Sequence, residues 1–234
     1  MSTRYAVYFA PEKLSAWWLF GAHWLGRDEC EDVALVQPQL EGIDSQQLAL
    51  MTSQPRRYGF HATLKAPFRL ADGYSESMLL SRLHGLARKL PPVQIGPMRV
   101  TTLSDFVALV PHGPVEGLQE LAAACVQDLD DLRAPLSSDD LLKRKAHKLD
   151  LREAELLALY GYPHVMERFR LHLTLTGPLK AIAAQRIEQL AATQIHRLNA
   201  LAPLAVDRLC LFVERTPGAP FLRIADVNLQ GILK

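Results

Sequence analysis

Phe60-His61-Ala62-Thr63-Leu64-Lys65-Ala66-Pro67-Phe68-Arg69 returns further along the chain as Leu171-His172-Leu173-Thr174-Leu175-Thr176-Gly177-Pro178-Leu179-Lys180. The shared frame is apolar, His, any, Thr, Leu, any, small, Pro, apolar, basic. In a strand, side chains two apart share a face, so His61, Thr63 and Lys65 are expected on one side and Phe60, Ala62 and Leu64 on the other. His172, Thr174 and Thr176 repeat the pattern over Leu171, Leu173 and Leu175. A polar strand face meeting solvent explains either triplet alone. It does not explain why two faces in one frame keep the same two functional groups. Paired imidazoles that titrate near neutrality, each with a hydroxyl two residues on, suit acid/base work on a phosphate ester.

The echo extends beyond the motif. The offset of 111 that carries His61 onto His172 also carries Pro92 onto Pro203. Helical spacing is read over Glu76 to Leu90 after the first motif and over Ala183 to Leu198 after the second. Each helix is followed by two strand-like runs, Val93 to Thr102 and Phe106 to Val110, then Leu204 to Val213 and Phe221 to Val227. The expected fold is α+β: a bilobal duplicated unit of strand, helix, strand, strand, with two small antiparallel sheets facing a central cleft and helices outside. The expected organisation is a single domain over 1–234, with one lobe motif at about 58–110, a helical insert at about 112–165 and a second lobe motif at about 169–230.

With 26 Lys and Arg against 25 Asp and Glu, the formal charge is +1, which argues against a general nucleic-acid coat or a membrane-surface protein. A local basic cluster, Arg56, Arg57, Lys65 and Arg69, surrounds the first histidine, where it suits an anionic ligand or a solvated strand end. Cys30, Cys125 and Cys210 suggest neither a disulfide framework nor a zinc knuckle. No metal-ligand motif and no Gly-x-x-x-x-Gly-Lys phosphate loop is present, and neither metal nor cofactor is expected. The remaining histidines are scattered: His23, His84, His112, His147, His164 and His196. The opening reads as strand rather than leader, and no apolar run reaches bilayer length, so a cytoplasmic location without membrane contact is expected. Val115 to Arg133 and Asp139 to Tyr160 both read as helical. The second carries Lys143, Arg144, Lys145 and Lys148, expected as a solvated face. Trp17, Trp18 and Trp24 read as core packing in an early helix.

The paired His-x-Thr-Leu motifs resemble the two-histidine phosphoesterase superfamily. Tyr5-Ala6-Val7-Tyr8-Phe9-Ala10-Pro11 looks like its first strand, and Leu209 to Arg215 with Pro217, Gly218 and Phe221 looks like its closing hairpin. Arg57 to Lys65 and Phe169 to Leu179 look like a branch often encoded with phosphonate-degradation genes. The resemblance implies metal-independent hydrolysis of a cyclic or linear phosphodiester of a nucleotide or ribosyl compound, in phosphonate metabolism. His61, Thr63, His172 and Thr174 are then the catalytic set, one imidazole neutral as base and the other protonated as acid. Lys65, Arg57, Tyr58, Tyr8 and Thr176 are the candidate ligand-binding residues. The implied partner is a small phosphorylated molecule, with an RNA end as a further candidate. Two other readings stay open: a nucleotide- or RNA-end-binding module without turnover, and ligase-like phosphodiester formation.

Overall fold

The computed structural model describes residues 3–145 and 149–231; His147 and Lys148 lie outside them, as do the side chains of 139 and 143–145. The basic run at Lys143, Arg144, Lys145 and Lys148 therefore lies outside the described side chains. The first half of the chain forms β1 (Arg4–Phe9), α1 (Ala16–Leu25), β2 (Arg27–Asp28), β3 (Val33–Ala34), α2 (Ser45–Met51), α3 (Ser53–Arg56), β4 (Ala62–Phe68), α4 (Glu76–Lys89), β5 (Val93–Gly96), β6 (Met98–Leu103) and β7 (Phe106–Pro111). The remainder forms α5 (Leu118–Gln127), α6 (Ser138–Lys145), α7 (Leu151–Tyr160), β8 (Leu173–Thr174), α8 (Ala181–Leu201), β9 (Leu204–Val206), β10 (Arg208–Glu214) and β11 (Leu222–Asn228). The fold is α+β with several small antiparallel sheets. Among the described residues, no helix is long and apolar enough to cross a membrane.

Several expected runs are divided, for local reasons. The run from Val93 to Thr102 breaks where Gly96 turns to a φ of 77° before Pro97, whose missing N–H ends the ladder. The run from Leu204 to Val213 breaks at Asp207, so three strands follow each motif helix where two were expected. The expected helix from Asp139 to Tyr160 is two helices, because Asp150 caps a fresh start: its carboxylate accepts the Glu153 N–H while the Glu153 side chain accepts the Asp150 N–H. By contrast α4 lies close to its expected bounds. Ser75 caps it, and Leu79, Leu83, Leu86 and Ala87 form its buried stripe.

The sheets draw on both halves of the chain. A four-stranded sheet has the order β11-β10-β1-β4, a three-stranded sheet the order β6-β7-β8, and β5 pairs with β9. Each motif strand is thus an edge strand, β4 beside β1 and β8 beside β7. One consequence is that the hairpin following the first motif supports the second, and the hairpin following the second motif shares a sheet with the first.

Helix α1 ties both motifs to one support. Ser15 caps its start, and Gly26 at a φ of 73° ends it. Gly21 leaves room for Phe60, the residue before His61: a Cβ at Gly21 would lie 1.9 Å from the Phe60 Cγ. One turn on, the Trp24 indole N–H donates to the Leu175 carbonyl at 3.0 Å, just past Thr174. The Trp cluster is core, as its aromatic content suggests: Trp17, Trp18 and Trp24 are all buried, each with its indole N–H bonded.

Candidate functional site

The two histidines are held in the same way. A carbonyl oxygen can only accept, so His61 donates through its Nδ1–H to the Gly59 carbonyl at 2.9 Å, and His172 donates through Nδ1–H to the Arg170 carbonyl at 2.8 Å. In each case the partner is two residues upstream. This selects the tautomer in which Nε2 carries the lone pair and is free to accept a proton. Gly59 is suited to its place by a φ of 78°, and a side chain there would also meet the Cβ of Glu29 at 2.7 Å. The Thr63 hydroxyl then donates to His61 Nε2 at 3.3 Å, a long bond that a better acceptor can displace.

Tyr8 supports the His61 ring from β1, stacked at 3.8 Å between centroids with 26° between planes. Tyr8 is itself buried, and burial holds its phenol well above the ordinary value. Tyr58 lies 6.1 Å from the same imidazole and stacks on Phe221 at 5.1 Å. His172 lies 5.8 Å from the ring of Phe106, on β7.

Burial lowers His61 to about 4, opposed by its bond to Gly59 and aided by the charge of His172. His172 is also lowered, first by burial, against the bond to Arg170, with the charge of His164 adding to the shift. Burial thus favours the neutral form of both imidazoles in the ligand-free protein. The expectation of one neutral and one protonated ring does not describe this resting state, because burial, the largest cause for each ring, disfavours its charged form.

The cleft has two chambers. The larger, about 580 Å³, has Gln54, Phe106, Thr174 and Thr176 in its walls; the smaller, about 370 Å³, has Arg4, Tyr8, Thr63 and Asp140. Tyr58, His61 and Tyr162 border both. First-motif and second-motif residues thus share one cavity, and Tyr162 brings the end of the helical insert into it. Sequence reasoning missed Tyr162, Arg4, Gln54 and Phe106. The only signal for Tyr162 was the turn Gly161-Tyr162-Pro163, which marks a helix end and says nothing of where that end docks. Thr176 reaches the cavity wall but is fully buried, its hydroxyl oxygen accepting the Val107 N–H at 3.0 Å.

Lys65 lies elsewhere. Tyr8 pairs with Thr63 while the adjacent Val7 pairs with Lys65, so β4 carries a bulge at Leu64 that breaks the alternation joining Lys65 to His61 and Thr63. Lys65 is buried beneath α5, its ammonium donating to the Val126 carbonyl at 2.9 Å and to Asp130 at 3.1 Å. The rest of the basic cluster is likewise occupied. Arg56 donates to Leu25 and Gln37, Arg57 to Ala219 and Glu214, and Arg69 to Asp140. Four cations adjacent in sequence to His61 therefore serve the fold, because each finds an internal acceptor. Lys65→Met is expected to leave the affinity for an anion bound at His61 within about twofold, since loss of a direct charged contact would cost far more. Titration calorimetry checks this, and a tenfold loss in a folded variant would return Lys65 to the ligand site.

The model of the family described as "Protein of unknown function (DUF1045)" matches residues 63–222. The chain is 40% identical over 232 residues to a protein of Janthinobacterium sp. (strain Marseille) named ribose 1,5-bisphosphate phosphokinase PhnN, covering 98% of this chain and 51% of that one. It is 38% identical over 219 residues to a protein of the same name from Laribacter hongkongensis (strain HLHK9), covering 93% and 50%. The chain spans about half the length of these relatives. Their names overturn the expected phosphodiester hydrolase: a phosphokinase transfers a phosphoryl group and is not a phosphodiesterase. The correction concerns the reaction, which paired histidines do not specify, since the same proton transfers serve several phosphorus chemistries. The match over most of its length places the chain in the DUF1045 family.

Proposed function

We propose that the cleft between the two motif strands binds a phosphorylated ribosyl compound and serves phosphoryl transfer in ribose 1,5-bisphosphate chemistry, within phosphonate metabolism. The observation that carries this is a cavity whose walls hold His61 of the first motif and Thr174 of the second, with His61 and His172 each fixed in the same tautomer by a carbonyl two residues upstream. A neutral imidazole can take the proton of an acceptor oxygen at its Nε2. The Thr63 and Thr174 hydroxyls donate to phosphate oxygens, and Tyr8 and Tyr58 frame the His61 ring. The chain carries no Gly-x-x-x-x-Gly-Lys loop, so its phosphate contacts rest on these groups. The relatives' names supply the ribosyl bisphosphate as the ligand to try.

The finer descent of the fold belongs to the same proposal: the two motif units are copies of a two-histidine phosphoesterase-like unit that form two lobes. The element orders β4-α4-β5-β6-β7 and β8-α8-β9-β10-β11 support it. So does the antiparallel pairing of β5 with β9, where Gln94 meets Ala205, its counterpart at the offset of 111, before a register shift sets Gly96 opposite Leu204.

Histidine proton NMR with ribose 1,5-bisphosphate tests the site. Free His61 is expected to stay neutral to well below pH 6, since its pKa is lowered to about 4. A bound phosphate favours the imidazolium and should raise that value by a unit or more. The sign follows: ligand binding takes up protons, and the part of the affinity owed to His61 is present in acid and lost as pH rises through the ligand-bound pKa. A His61 titration that is identical with and without saturating ligand would remove the assignment.

A further inference from the structure

We propose that the smaller chamber is a second anion subsite centred on Arg4, so that the ligand of the cleft carries a negative group at each end. This rests on the phosphoribosyl reading above and goes further by specifying the second end. Arg4 enters the chamber from the start of β1, paired through its Nε with Glu214. Glu214 is fully buried, receives Arg57 on its other oxygen and accepts the Gly218 N–H at 3.0 Å. Two guanidinium groups thus share one carboxylate, while Asp140 on the chamber wall is paired with Arg69. Of these groups Arg4 and Asp140 line the chamber, and counted with the partners behind them, Arg57, Arg69 and Glu214, the cluster carries one positive charge in excess. Among the described residues, the Arg4 side chain hydrogen-bonds through Nε alone, so its terminal amines can serve a bidentate anion.

The neck between chambers gives the ligand its middle. Tyr58, His61 and Tyr162 border both spaces, and rings in that position suit the C–H faces of a sugar while excluding a bulky charged linker. An anion in the larger chamber meets Thr174 and His61; one in the smaller meets Arg4, Thr63 and the same imidazole. His61 then lies between the two charged ends and responds to both.

Titration calorimetry with ribose 5-phosphate and ribose 1,5-bisphosphate separates the two levels of the argument. The bisphosphate is expected to bind at least about tenfold tighter, the gain of one well-placed charge-assisted contact. Arg4→Gln should shrink that ratio to below about threefold, with folding checked by thermal melting. Asp140→Asn, which removes a negative charge from the chamber wall, should enlarge it. Equal affinities in the wild type, or a ratio unchanged in both variants, would overturn the second subsite while leaving the cleft assignment standing if ribose 5-phosphate still shifts His61. Binding of neither sugar phosphate would overturn both.

Discussion

On the proposed function, His61→Ala is expected to lower the rate of phosphoryl transfer to the ribosyl ligand by at least about a hundredfold, and His172→Ala to do the same, since a positioned proton-transfer group contributes roughly 10² to 10⁴. The fold should survive either change. His61 and His172 are only half-buried, and each gives up one hydrogen bond to a carbonyl. The double variant is expected to be little worse than either single, because two groups that form one proton-transfer unit do not contribute additively. The measurement is turnover in wild type, singles and double at matched pH, with circular dichroism confirming the fold. A fully active His172→Ala would detach the second motif from the chemistry and leave His61 as a lone base.

The largest expected effect on stability comes from Gly21→Ala. Helix propensity alone favours alanine in the interior of α1 by about 0.5–1 kcal/mol. The packing reverses that sign. An added Cβ would lie 1.9 Å from Cγ and 2.0 Å from Cδ1 of Phe60, and Phe60 is fully buried. The contact is with the root of the ring, which cannot turn aside as the tip of a long side chain would, so α1 must move from β4. Overpacking of this kind costs about 1–3 kcal/mol, and the upper end is expected here. For a chain of this size that lowers Tm by roughly 5–10 °C. Phe60 precedes His61 and α1 also holds Leu175, so affinity for the sugar phosphate should fall with stability. An unchanged or higher Tm in Gly21→Ala would show that α1 is not packed against the first motif in this way.

The helices and strands that flank the motifs were legible in the sequence, because their burial stripes and breakers act within a few residues. The spacing of Leu79, Leu83 and Leu86 gave α4, and the matching run gave α8. Two of the breaks carry a local signal in the sequence: Gly96-Pro97 in one run, and Asp150 with Glu153 in the insert. Lys65 departs from its expected face for a reason that is not local. Strand alternation predicts one face only while the register is regular, and the bulge at Leu64 depends on β1, which is far away in sequence.

By itself the sequence determined the α+β character, the twin motifs and the identity of the groups that can move a proton or hold a phosphate oxygen. These depend on residue type and on periodicities set by the geometry of the backbone. Only the tertiary structure decided which of those groups meet. It interleaved the two halves in shared sheets, put both motif strands at edges, and used α1 to brace Phe60 and Leu175 together. It also consumed Arg56, Arg57, Lys65 and Arg69 in internal pairing while bringing Arg4 and Tyr162 to His61 from opposite ends of the first 162 residues. The physical reason is that a charge's partner, a ring's environment and an imidazole's pKa are set by what lies within a few ångströms, and in a folded chain those neighbours come from distant segments.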